Sequence, residues 1–107
     1  MTRLEERMWD WHVETYGEGI DIAATFAHLC EEVGELGEAL MRTDIDVMAA
    51  KLEAADIGIL LNMILRGLDP KGSLSVSMGV KLGIIELRSM ERRRTHNHGV
   101  PTGKAEQ

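Results

Sequence analysis

Cys30 to Leu40 reads CEEVGELGEAL, and a short way on Leu52 to Ile64 reads LEAADIGILLNMI. Both keep the three- and four-residue spacing of helices. In the first, Phe26, Leu29, Val33, Leu36 and Leu40 form one apolar stripe, which predicts a helix from about Asp21, its N-cap, to Arg42. The second is apolar almost all round over Ile57, Ile59, Leu60, Leu61, Met63, Ile64 and Leu65, which predicts a helix from Asp44 or Ile45 to Arg66, placed centrally in an assembly. Gly34, Gly37 and Gly58 fall inside these helices, where each costs about 1 kcal/mol relative to Ala. Close packing of the two helices is the expected compensation.

Working outward, Thr2-Arg3-Leu4-Glu5 has the form of a capping box for a first helix with a stripe of Leu4, Met8, Trp11 and Val13, ending near Gly17. After the turn Gly67-Leu68-Asp69-Pro70-Lys71-Gly72, a fourth helix is expected from Ser73 or Ser75 to about Arg94, with Arg92 to Arg94 complementing its dipole. Strand-like alternation is nearly absent. The expected fold is therefore all-α: a four-helix bundle-like protomer over 1–95, with a flexible tail over 96–107. Its helices are too apolar for a monomer of this length, so a homodimer or homotetramer is expected.

Charge and length narrow the function. With 107 residues, 12 Lys+Arg and 18 Asp+Glu, the chain is one domain of formal net charge −6. No broad basic stripe is present to neutralise phosphates, so nucleic acid is not an expected partner. The longest apolar run, Ile57 to Leu65, contains Gly58 and Asn62 and is too short for a membrane span. Cys30 is the single cysteine and the first residues lack a signal-peptide core, so a cytoplasmic location is expected.

The acids are distributed unevenly. At 100° per residue from Glu31, Glu35 lies at about 40° and Glu32 at about 100°, opposite the apolar sector. Taken alone, that describes a solvated helix face. Glu53 and Asp56, however, sit at i, i+3 on the helix expected to be mostly buried, where ionised carboxylates are costly without compensation. Lys51 is on another side of that helix. A metal is the better compensation: Glu32/Glu35 and Glu53/Asp56 on adjacent antiparallel helices would converge four carboxylates, an all-oxygen donor set suited to Mg²⁺ or Mn²⁺.

Glu31-Glu32-x-x-Glu35, then seventeen residues, then Glu53-x-x-Asp56, resembles the EExxE…ExxD signature of the MazG-like all-α nucleoside triphosphate pyrophosphatases. The likeness covers the second and third helices closely. It implies that Glu32, Glu35, Glu53 and Asp56 bind Mg²⁺, that Glu31 positions or deprotonates the attacking water, and that a nucleoside triphosphate is cleaved to the monophosphate and pyrophosphate. The related superfamily members include dimeric dUTPases, dCTPases and phosphoribosyl-ATP pyrophosphohydrolases, so the motif speaks to chemistry more than to substrate. A catalytically inactive oligomerisation or nucleotide-sensing module is the alternative outside the enzymes.

Four further residues are substrate-contact candidates. His28 lies on the acid face and could contact a phosphate or base, or simply pair with Glu32 at i+4. Asn62 could reach a sugar or base, or bridge helices. Trp9 and Trp11 face nearly opposite sides of the first helix; one can be core, and the other, for which Trp9 stands as candidate, can stack on a base or fill an interface. Arg92 could fold over a triphosphate. Arg3 and Arg7, one turn apart, could reach phosphates from a neighbouring subunit, against the weightier reading of a solvated face. His96-Asn97-His98 and Gly99 to Ala105 imitate a nuclease and a phosphate-loop motif without the flanking structure either needs.

Overall fold

The computed structural model of the chain describes residues 2–99, with side chains as far as Thr95. These residues form four helices, α1 (Arg3–Tyr16), α2 (Ile22–Leu40), α3 (Val47–Leu68) and α4 (Leu74–Gly99), and the described residues contain no strand. The fold is all-α. No described helix is long and apolar enough to cross a membrane.

Each start is set by a side-chain cap. Glu5 N–H donates to Thr2 Oγ1 at 3.1 Å while Thr2 N–H donates to Glu5 Oε1 at 2.8 Å, completing the capping box. Asp21 accepts from Ala24 N–H, and Asp46 from Ala49 N–H, each at 3.0 Å. The third helix thus begins two or three residues later than its apolar pattern implies, because Asp46 and not Asp44 supplies the cap. Gly17, at φ 89°, ends α1 in a conformation that only glycine adopts without strain. At Gly72 the requirement is space, since a Cβ there would lie 2.1 Å from the Leu65 carbonyl oxygen.

Residues up to Val76 make one compact unit, and residues from Ser77 onward, carrying the rest of α4, make a second. In the first unit α3 folds back on α2 after the six residues between Leu40 and Val47, and α1 also packs on α3. Its core is small: Leu29, Ala50 and Met63 are the buried apolar residues. The glycines do not mediate this packing, because a side chain at Gly34, Gly37 or Gly58 would meet nothing within 4 Å. The expected glycine contact is absent from the single chain, and those positions face open space. α4 runs five residues past the expected end at Arg94, to Gly99; the tail residues 100–107 lie outside the described residues.

The start of α4 is held from a distance by two buried polar side chains. Asn62, 2% exposed, accepts from Leu74 N–H through Oδ1 at 2.8 Å. Glu5, 3% exposed, accepts from the Ser73 hydroxyl, the Ser75 hydroxyl and Ser75 N–H, besides Thr2 N–H. One carboxylate therefore satisfies free N–H groups at the starts of two helices. Burial alone would push this acid up, but the bonds from Ser75, Thr2 and Ser73 outweigh it and hold the carboxyl well below the usual carboxylate range. That stabilisation is complete above the ordinary value of 4.5 and is lost as pH falls below it. Urea titration at pH 7 is expected to find Glu5→Gln less stable by about 2 kcal/mol, as for a charge-assisted bond replaced by a neutral one, with the gap closing as pH falls below 4.5. A gap independent of pH would contradict a role for the ionised carboxylate.

Candidate metal centre

Helix α2 presents Glu32 and Glu35 at i, i+3, and the return of α3 sets Glu53 beside them. One carboxylate oxygen from each lies within 4.8 Å of the others. Such an approach is repulsive if all three are ionised. Glu32 carries the consequence: its carboxyl is pushed above the ordinary carboxylate range, first by a hydrogen bond with Glu53, then by burial, then by the charge of Glu35. Its side chain is 15% exposed, and Oε1 meets His28 Nε2 at 3.2 Å one turn earlier on the helix. Glu53 Oε2 is buried with no hydrogen-bond partner.

These features fit a divalent cation. A buried carboxylate oxygen without a donor is unusual in a folded protein, and the donors around it are hard oxygens. Three carboxylates converging on one point, with no Lys or Arg paired to them among the described residues and only His28 beside Glu32, leave negative charge that Mg²⁺ or Mn²⁺ would neutralise. Asp56 is not part of the trio. One turn beyond Glu53, it instead lines a cavity of about 600 Å³ with Glu32 and His28, so the expected four-carboxylate convergence is three acids plus a flank. Glu31 is exposed and also outside the trio.

The four substrate-contact candidates divide. His28 pairs with Glu32, as one of its readings has it, and it also lines the cavity. Asn62 is fully buried and its Oδ1 accepts from Leu74 N–H, which makes it an inter-helix bridge that caps α4. Trp9 gives up its place to Trp11. The Arg66 guanidinium lies over the Trp9 ring, 4.5 Å from its centroid, and His12 stacks on Trp9 at 5.6 Å, so the Trp9 face is occupied. Trp11 lines the cavity. Arg92 belongs to the second unit, where it borders a shallow depression with Arg88, Glu91 and Thr95.

Sequence reasoning misplaced one surface. Leu4, Met8 and Trp11 keep core spacing, yet they and Arg7 form a wall of the cavity on the same chain as the acids. Arg7 standing one turn before Trp11 was the available signal. The chain matches no protein family, no curated protein and no solved structure.

With metal removed, the raised titration of Glu32 has the opposite sign to that of Glu5. The cost of crowding is absent below the ordinary value of 4.5 and grows as pH rises through the carboxyl's own higher value. In chelator at neutral pH, Glu35→Gln is therefore expected to melt above the wild type by a few degrees. Millimolar Mg²⁺ or Mn²⁺ should raise the wild-type melt and leave the variant nearly unmoved. A wild-type melt insensitive to both ions would remove the metal centre.

Proposed function

We propose that the protein is a Mg²⁺-dependent nucleoside triphosphate pyrophosphohydrolase, acting on surplus or non-canonical nucleotides. The observation that carries this reading is the trio Glu32, Glu35 and Glu53, with a donorless buried oxygen on Glu53, opening beside a cavity large enough for a nucleotide. The resemblance of the EExxE…ExxD spacing to MazG-like pyrophosphatases supplies the reaction type.

In this reading the trio, flanked by Asp56, holds the ion. When bound, the metal neutralises the charge of the polyphosphate, which is most of what phosphoryl transfer asks of a protein. The chain's own residues do the rest. Glu31, exposed and adjacent to Glu32, orients the attacking water and takes its proton, and His28 keeps Glu32 in place through the bond to Oε1. Cleavage between the α- and β-phosphates consumes one water and leaves the monophosphate and pyrophosphate.

The working form is proposed to be a homodimer or homotetramer. Phe26 (57% exposed), Val33 (50%), Leu40 (51%) and Leu52 (60%) are open on the two helices that carry the acids, and so much apolar surface is unusual on a monomer. Light scattering at micromolar protein should give the mass of two or more chains; a monomer would refute this assembly.

Turnover is the central test. A screen of canonical and damaged nucleotides with Mg²⁺ should release pyrophosphate from at least one. Glu53→Gln should lose about 100-fold or more, the scale of a lost metal contribution of about 3 kcal/mol, together with the melting response to the ion. Glu31→Gln should lose turnover but keep that response. A full metal response with no turnover on any nucleotide would overturn the enzyme and leave a non-catalytic nucleotide-binding module.

A further inference from the structure

Arg7 lines the cavity beside the acids, and its charge is not used in the proposed reaction. Arg7 shares the cavity wall with Glu32, Asp56, His28 and Trp11, and makes no ion pair or hydrogen bond among the described residues. Arg7 is exposed, and its guanidinium keeps its donors available to a ligand at the cavity wall.

The apolar part of the wall has a direction. A second cavity, of about 410 Å³, shares Trp11, His28, Ile59 and Leu60 with the first and continues to His12 and Tyr16. The space thus runs along α1 from Arg7, past Trp11, to Tyr16. Arg7, Glu32 and Asp56 lie at one end, while Trp11, His12 and Tyr16 share the other with apolar residues and with Asp21. Trp11 touches Tyr16 edge-on, with ring centroids 5.7 Å apart and planes at 84°, and is 53% exposed. Unlike Trp9, it has no cation or stacked ring over its face among the described residues.

We propose that this groove binds an organic phosphate with a planar aromatic group, Arg7 holding the phosphate from the same chain that carries the acids and Trp11 forming the surface on which the ring lies. Arg7 is then a substrate-binding residue in cis, in place of a contact reaching in from a neighbouring subunit. Its planar fork can take two phosphate oxygens at once, supplying fixed positive charge where a metal alone would leave a polyphosphate under-neutralised. The ring stacks on Trp11 without demanding a particular hydrogen-bond pattern. The inference rests on the proposed pyrophosphohydrolase reading for the identity of the ligand as a nucleotide, but not for the roles of Arg7 and Trp11.

Tryptophan fluorescence of the full chain tests it without turnover. The probes, each with Mg²⁺, are a non-hydrolysable α,β-substituted nucleoside triphosphate, inorganic pyrophosphate and a free nucleoside. For the wild type the triphosphate analogue should quench Trp11 emission. Arg7→Gln should weaken the analogue and pyrophosphate by about tenfold or more, Arg7→Lys should recover part of that, and Arg3→Gln should change neither. Trp11→Phe should remove most of the quench and, by calorimetry, weaken the analogue but not pyrophosphate. All variants should keep the wild-type melting response to Mg²⁺, which separates lost contact from lost fold. If Arg7→Gln binds analogue and pyrophosphate as the wild type does while Glu53→Gln does not, Arg7 is no ligand contact and the metal centre stands. If the wild type binds no phosphate probe at all, both this inference and the nucleotide reading fall.

Discussion

The return of α3 along α2 is the constraint on which the rest of the molecule depends. It packs α3 along α2 in a unit whose buried apolar residues are Leu29 on α2 and Ala50 and Met63 on α3, and the same return brings a carboxylate oxygen of Glu53 to within 4.8 Å of ones on Glu32 and Glu35. Apolar packing and carboxylate crowding are two faces of one contact. The hairpin cannot close its core without bringing like charges together, and it cannot separate the charges without opening the core. Stability gained on one side of α2 is partly offset on the other, unless something cationic arrives.

Two acidic sites in one small unit show how surroundings decide what a carboxylate is for. Glu5 meets hydroxyl and amide donors from Thr2, Ser73 and Ser75, and its negative charge is welcome at the starts of two helices. It has no capacity left over, and it is structural. The trio has the reverse environment: its main neighbours are one another, its one described side-chain partner is a histidine, and one oxygen of Glu53 has no donor. Glu5 is buried whereas Glu32 and Glu53 are half-buried and Glu35 is exposed, and the first site has its donors while the second keeps one oxygen without any. This difference, more than the count of acids, is what singles out the α2–α3 acids as the functional candidate.

Much of this was legible in the sequence because it depends on short-range rules. The capping box at Thr2 and Glu5, the cap at Asp21, and the placing of Glu32, Glu35 and Glu53 on facing helices all follow from spacing within a few turns. What sequence could not settle depends on the side-to-side arrangement of helices. Periodicity says that Leu4, Met8 and Trp11 share a face, but not whether that face meets another helix or a cavity. It says that Trp9 and Trp11 point apart, but only the position of Arg66 on α3 decides which ring is covered. Asn62 was ambiguous for the same reason, since its partner, the N–H of Leu74, lies twelve residues away across a turn. Glu5 was readable as a local cap and unreadable as the anchor of α4, a contact spanning 68 residues.

The glycines join these threads. Gly34 and Gly37 lie on α2 and Gly58 on α3, with open space where a side chain would be, while Phe26, Val33, Leu40 and Leu52 remain exposed on the same two helices. Within one chain neither feature has a compensation: each glycine weakens its helix, and each exposed side chain keeps apolar area in water. A second helix laid against these surfaces would resolve both, because the missing Cβ atoms permit close approach and the apolar side chains provide the contact area. The acids and the open apolar surface are carried by the same pair of helices, so an interface formed there would stiffen the hairpin that sets the acids' spacing. Self-association, in this arrangement, is one means by which a chain with three buried apolar residues among those described could hold three carboxylates at fixed separation.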